Sequence, residues 1–206
     1  DEKEIISTIE KELNDVYRDF NFEPSQRSKI VEEMRFVDAI SDSLKESMNK
    51  YNNLILMGQD IAEYGGVFKV SEGFLDLFGK ERVRNTPICE SSIIEVAMGL
   101  SICNRKSIVE LQFSDFISSG FNPVVNYLAK IHYRWGQNAD IVLRMPCGGG
   151  VGAGPFHSQT NEAWFTKTAG LIVVYPAFPD DAKGLLISSI ENPNPVMFFE
   201  HKALYR

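Results

Sequence analysis

The chain carries three cysteines, Cys89, Cys103 and Cys147, set well apart. An odd number with no Cys-x-x-Cys pair excludes a disulfide framework and a cysteine-based metal site, and it suits a reducing cytoplasm. Basic residues are also scarce: 21 Lys and Arg stand against 28 Asp and Glu, for a net charge of -7. That balance argues against nucleic acid as a partner, because phosphate contacts need a basic face. No apolar run reaches the length of a bilayer span, so we expect no membrane partner. No serine sits in a Gly-x-Ser-x-Gly elbow, which leaves a hydrolase triad without support.

With 44% hydrophobic and 24% charged residues over 206 positions, the composition is globular and sufficient for one sizeable domain with an appendage. The chain starts at Asp1 and stops just after a strand-like run, and we read it as a piece of a longer polypeptide. In residues 1–21, Ile5, Ile6, Ile9, Leu13 and Val16 fall at helical spacing, which predicts a peripheral amphipathic helix docked on its own domain. Residues 22–34 hold a proline among many polar residues and read as a linker, with a boundary near Arg35.

Beyond that boundary, short apolar runs alternate with helical patterns. Helices are predicted over 36–50, 73–78, 121–135 and 179–190, and strands over 54–58, 107–111, 141–145, 171–175 and 195–200. Fully apolar strands alternating with helices indicate a mostly parallel α/β sheet with helices on both faces. Ligands of such sheets bind beyond the carboxyl ends of the strands. Asp60, Gln112, Phe113, Phe116 and the glycine loop 148–154 all follow strand ends and should line one edge.

Two stretches on that edge carry chemistry. The run Thr86-Pro87-Ile88-Cys89-Glu90 opens into an apolar helix over Ile93, Ile94, Ala97, Met98 and Leu100. Ser91 or Ser92 can cap it, with Glu95 as a capping-box partner of Ser92. Glu90 then stands at the mouth of the helix, where it either favours the positive end of the dipole or serves as a site carboxylate. The loop 147–154 (CGGGVGAG) does not fit Gly-x-Gly-x-x-Gly, and no Gly-Lys-Ser/Thr follows it. We read it as a close-packing loop that needs positive backbone angles and carries His157, a histidine available for proton transfer. With no second His or Cys at ligand spacing, His157 is a poor metal ligand.

The run MGQDIAEYGGVFKVSEGFLDLFGKERVRNTPICE resembles the pyrimidine-binding domain of 2-oxo acid dehydrogenases. That domain is the first half of the beta subunit of their thiamine-diphosphate-dependent decarboxylase component. VELQFSDFI, GVGAGPFHSQTNEAWF, PAFPDDAKGLL and ENPNPVMFFEHKALYR extend the match, in order, over residues 36–206. GGVFKVSEG and FFEHKALYR are most similar to the branched-chain (2-oxoisovalerate) type. IISTIEKELNDVYRDF resembles the final helix of the alpha subunit, which implies a fused alpha-beta chain with residues 1–35 linking the two parts.

The resemblance implies a transketolase-like fold and an oxidoreductase of a multienzyme complex. Its reaction would be oxidative decarboxylation of a 2-oxo acid with acyl transfer to lipoyl. The partners implied are an alpha-like diphosphate-binding domain that holds magnesium, a lipoyl-bearing acyltransferase core, and further copies of the chain. The Val124–Tyr133 stretch is a candidate interface and equally a candidate part of the core. Glu90 is implied to contact N1' of the aminopyrimidine and His157 to assist acyl transfer. Phe116, where the family often has Tyr, is implied to pack beside the pyrimidine, with Gln112 nearby. A structural potassium ion is implied at backbone oxygens of Ile141, Ser189 and Ile190, with Asn192 and Asn194. The family usually has Asp where Asn192 stands, and losing that charge weakens a cation site. Read from the residues alone, 192–195 is a turn.

Overall fold

The computed structural model describes residues 7–23 and 32–206. After a short helix α1 (Ile9–Asn14), the order is α2 (Phe36–Lys50), β1 (Leu54–Gly58), α3 (Phe74–Phe78), β2 (Val83–Asn85), α4 (Glu90–Ile102) and β3 (Lys106–Glu110). There follow α5 (Ile131–Trp135), β4 (Ile141–Cys147), β5 (Ile172–Val174), α6 (Pro179–Glu191) and β6 (Val196–His201). The six strands form one sheet, ordered β2-β1-β3-β4-β6-β5, and every pairing is parallel. This is an α/β fold with a parallel sheet, as the alternation of apolar runs indicates.

The strand period of two divides the core. In β1, Leu54 and Leu56 join Phe36, Ile40 and Leu44 of α2 and Leu186 and Ile190 of α6 on one face. Ile55 and Met57 join Ile93, Ile94 and Ala97 of α4, with Val124, Leu128 and Ile131, on the other. Strands buried on both sides must be apolar throughout, and each fully buried Leu, Ile or Phe contributes about 1.5–3 kcal/mol.

Three elements depart from the sequence reading. β2 was not expected. The helix expected over 121–135 is broken: Pro123–Leu128 is wound wider, as a π-turn, before α5 begins. α4 begins at Glu90, with Cys89 as its cap residue and no side-chain cap bond, so neither Ser91 nor Ser92 caps it. Nor is α4 buried all round, since Val96 and Ile102 are exposed on its outer face.

Of the expected amphipathic stripe near the start, Ile5 and Ile6 lie outside the described residues, as does most of the expected linker. Ile9 and Leu13 are exposed. The segment docks through polar contacts instead, the first of them within α1, where Glu12 Oε2 accepts from Tyr133 Oη. Tyr17 Oη donates to the Leu171 carbonyl at 3.2 Å, and Asn194 pairs with both backbone groups of Arg18 at 2.8 and 2.9 Å.

Candidate active site

Glu90 is the first residue of α4, placed there by the extended turn at Pro87 and Cys89. Its carboxylate is half-buried. Gln59, which follows β1, donates from Nε2 to Oε1 at 3.3 Å, and Ser119 Oγ lies 3.4 Å from Oε2. Both contacts are long for hydrogen bonds. Ser119 has a better acceptor in the Phe116 carbonyl, 2.9 Å away, and its hydroxyl has one proton to give. Oε2 of Glu90 therefore keeps capacity for a donor from outside the chain.

Ser119 leads directly to the aromatic wall. Phe116 sits on a 3-10 turn, Ser114–Ser118, beyond the end of β3. Its ring meets His157 edge-on at 5.4 Å and Phe113 at 5.7 Å, while Phe113 meets His157 at 4.7 Å. His157 Nδ1 is buried with no hydrogen-bond partner, which leaves Nε2 as the nitrogen able to exchange a proton. Glu90, Phe116 and His157 thus lie along one edge of the sheet. Gln112 is half-buried and makes no side-chain hydrogen bond among the described residues; the amide that reaches Glu90 is that of Gln59.

The His157 loop is fixed from beneath. Buried Asp115 accepts at Oδ1 from the backbone N–H groups of Ser158 (3.1 Å) and Gln159 (3.2 Å). Asn161 Nδ2 donates to the Ser114 carbonyl at 2.8 Å, and Gly148 N donates to the Gln159 carbonyl at 2.8 Å. Gly148 has φ +75°, and a Cβ there would come within 2.4 Å of His201 Nε2. The glycine loop therefore needs positive angles, and at Gly148 it needs the missing side chain as well.

Below this floor lies a buried ionic cluster. Arg144 donates to Glu200 through Nε (2.7 Å) and Nη2 (2.8 Å) and to Glu110 through Nη1 (2.6 Å), and Tyr205 Oη donates to Glu200 at 2.6 Å. Burial raises the Glu110 carboxyl above its ordinary range, and the Arg144 charge opposes that shift. Lys202 is buried with its Nζ unpartnered, 5.1 Å over the Phe113 ring, and burial lowers its pKa. Asp115, Gln59 and Lys202 were not singled out from the sequence. Arg144, Glu110 and Glu200 carry a signal there, as charges inside predicted apolar strands.

The five groups implied as potassium ligands are not arranged as a cation cage. Lys106 Nζ donates to the Ile190 carbonyl at 2.9 Å. Asn192 Oδ1 accepts from Asn194 N (2.9 Å) and Nδ2 (3.0 Å), and Asn194 Oδ1 accepts from Arg18 N. Three of the five oxygens thus already face donors of the chain itself. An ion at Ile190 would also meet a like charge. With the Lys106 ammonium already on the Ile190 carbonyl, the residues present do not fit a potassium ion.

A carboxylate, an aromatic wall and a histidine thus line the carboxyl edge of a parallel α/β sheet, the edge at which ligands of such sheets bind. Residues 32–206 match the family model of the transketolase pyrimidine-binding domain, and the chain belongs to that family. It is 42% identical over 175 residues to the 2-oxoisovalerate dehydrogenase subunit beta of Bacillus subtilis (strain 168), covering 84% of this chain and 54% of that protein. It is 39% identical over 176 residues to the pyruvate dehydrogenase E1 component subunit beta of Staphylococcus epidermidis (strain ATCC 35984), with the same two coverages. The chain therefore spans about half the length of these relatives. A solved split gene transketolase, an inactive beta4 tetramer, shares the fold with a TM-score of 0.64 at 18% identity, over 82% of this chain and 50% of that one.

Proposed function

We propose that this chain is the pyrimidine-binding part of a thiamine-diphosphate-dependent 2-oxo acid dehydrogenase acting on branched-chain 2-oxo acids. The observation that carries the proposal is Glu90: a half-buried carboxylate at the sheet's carboxyl edge, held by two long contacts and free to bind further at Oε2. Thiamine diphosphate, when bound, supplies an electron sink that lets the substrate carboxylate leave as carbon dioxide.

Each nearby residue then has a task. Glu90 exchanges a proton with the pyrimidine edge at Oε2, while Gln59 fixes Oε1. Phe116 and Phe113 exclude water beside the flat ring. His157 exchanges a proton at Nε2 during acyl transfer to lipoyl, and Asp115 keeps its loop in place. Magnesium and the diphosphate would be held by an alpha-like part in a fused chain that precedes residue 36, and a lipoyl-bearing acyltransferase core would take the acyl group. Further copies of the chain complete the assembly. The fragment alone would hold half a site and be inactive.

A second reading, a pyruvate- or acetoin-using relative, is supported by the 39% identity to a pyruvate dehydrogenase subunit. The test uses the full-length polypeptide with thiamine diphosphate, magnesium and an artificial oxidant. Turnover of 2-oxoisovalerate above pyruvate, abolished in folded Glu90→Gln, is the expected result. Preference for pyruvate would move the assignment to the second reading. Full turnover in Glu90→Gln would reject the role of Glu90. No turnover of either acid in the folded wild type would favour a non-catalytic module of the same fold.

A further inference from the structure

We propose that the ammonium of Lys106 is this chain's built-in replacement for the alkali cation that its family resemblance implies at the carboxyl end of α6. Lys106 opens β3, and its side chain is largely buried. Nζ reaches the Ile190 carbonyl at 2.9 Å, lies 3.6 Å from Asp140 Oδ2 and sits 5.4 Å over the face of Tyr51. A carbonyl oxygen, a carboxylate and a ring face are what a desolvated monovalent cation requires.

The surrounding backbone explains why a cation is needed there. The last carbonyls of a helix lack intrahelical partners, and the negative end of the dipole lies among them. The N–H that would continue the ladder to Ile190 belongs to Asn194, and it donates to Asn192 Oδ1 instead. Pro193, one residue earlier, has no N–H to offer Ser189. Neither asparagine brings the negative charge that a loosely held metal ion needs, whereas an ammonium on a covalent stem does not dissociate. The two Asn side chains are thereby released to clamp each other and the Arg18 backbone.

This inference does not rest on the proposed reaction, and its test reads stability. The full-length polypeptide, without thiamine diphosphate, is melted at equal ionic strength in potassium chloride and in choline chloride. The variants are Lys106→Met, which keeps the stem and removes the charge, and Lys106→Arg, which keeps the charge. Wild type and Lys106→Arg are expected to melt at the same temperature in both salts. Lys106→Met is expected to melt lower in choline and to regain roughly 3–6 °C in 100 mM potassium, as a vacated cation site takes up the ion. If Lys106→Met does not fold in choline, potassium should restore folding. A potassium-specific rise in the wild type would overturn the proposal. So would a Lys106→Met variant that potassium does not rescue.

Discussion

Arg144 meets Glu200 side-on, with Nε to Oε1 at 2.7 Å and Nη2 to Oε2 at 2.8 Å, and neither side chain reaches solvent. The paired geometry is the strong form of this ion pair, and it leaves Nη1 for Glu110. One guanidinium thus serves two buried carboxylates. Arg144→Met would leave both without a counter-charge and is expected to cost about 3–5 kcal/mol, read as a lower urea midpoint. A midpoint equal to wild type would show that the cluster does not need the guanidinium.

Glu110 gives the cluster a pH dependence with a definite sign. Burial raises its folded pKa above that of the unfolded chain, about 4.3 for a free Glu. Its contribution is therefore complete below the unfolded value and is lost as pH rises through the folded one. Glu110→Gln, which cannot ionise, should gain on wild type as pH increases across that window. Urea melts at successive pH values measure the difference, and parallel stability curves would reject the assignment.

Asp115 is expected to control the order of the His157 loop. Asp115→Ala removes the acceptor for Ser158 N and Gln159 N, two hydrogen bonds worth about 0.5–1.5 kcal/mol each. Amide exchange at these two residues should quicken by roughly 10- to 100-fold while the strands stay protected. Unchanged protection at Ser158 and Gln159 would show that other contacts hold the loop.

Two glycines should respond in opposite directions to the same substitution. A Cβ on Gly170, at φ +90°, would come within 1.8 Å of the Ala129 carbonyl oxygen, so the backbone must move. Gly170→Ala is expected to lower stability by at least about 2 kcal/mol. Gly99, inside α4, has nothing within 4 Å of such a Cβ, and Gly99→Ala should gain roughly 0.5–1 kcal/mol through helix propensity. Thermal melts of the two variants, compared with wild type, test both signs.

The apolar runs made the sheet legible before the structure, because strands buried on both faces must be apolar throughout. β2 escaped notice for the opposite reason. It is an edge strand in which only Val83 is buried, among Arg84, Asn85 and neighbouring charges. The break in the 121–135 helix carries no compositional mark, and it appears only as a bond from Ala129 N to the Val124 carbonyl, five residues back. At the site, Glu90, Phe116 and His157 stood out by position or resemblance. Asp115 could not be placed, because its partners lie 43 and 44 residues further along the chain. Lys106 likewise gave no sign, since its carbonyl partner is 84 residues away.

The two outermost strands, β2 and β5, are three residues each, against seven for β4 in the interior. A row of unpaired N–H and C=O groups invites pairing with another chain, and the invitation grows with its length. Arg84 on one margin and Pro176 just past the other shorten it further, the first by charge and the second by lacking an N–H. The sheet is thereby blunted at both margins against end-to-end growth into fibrils.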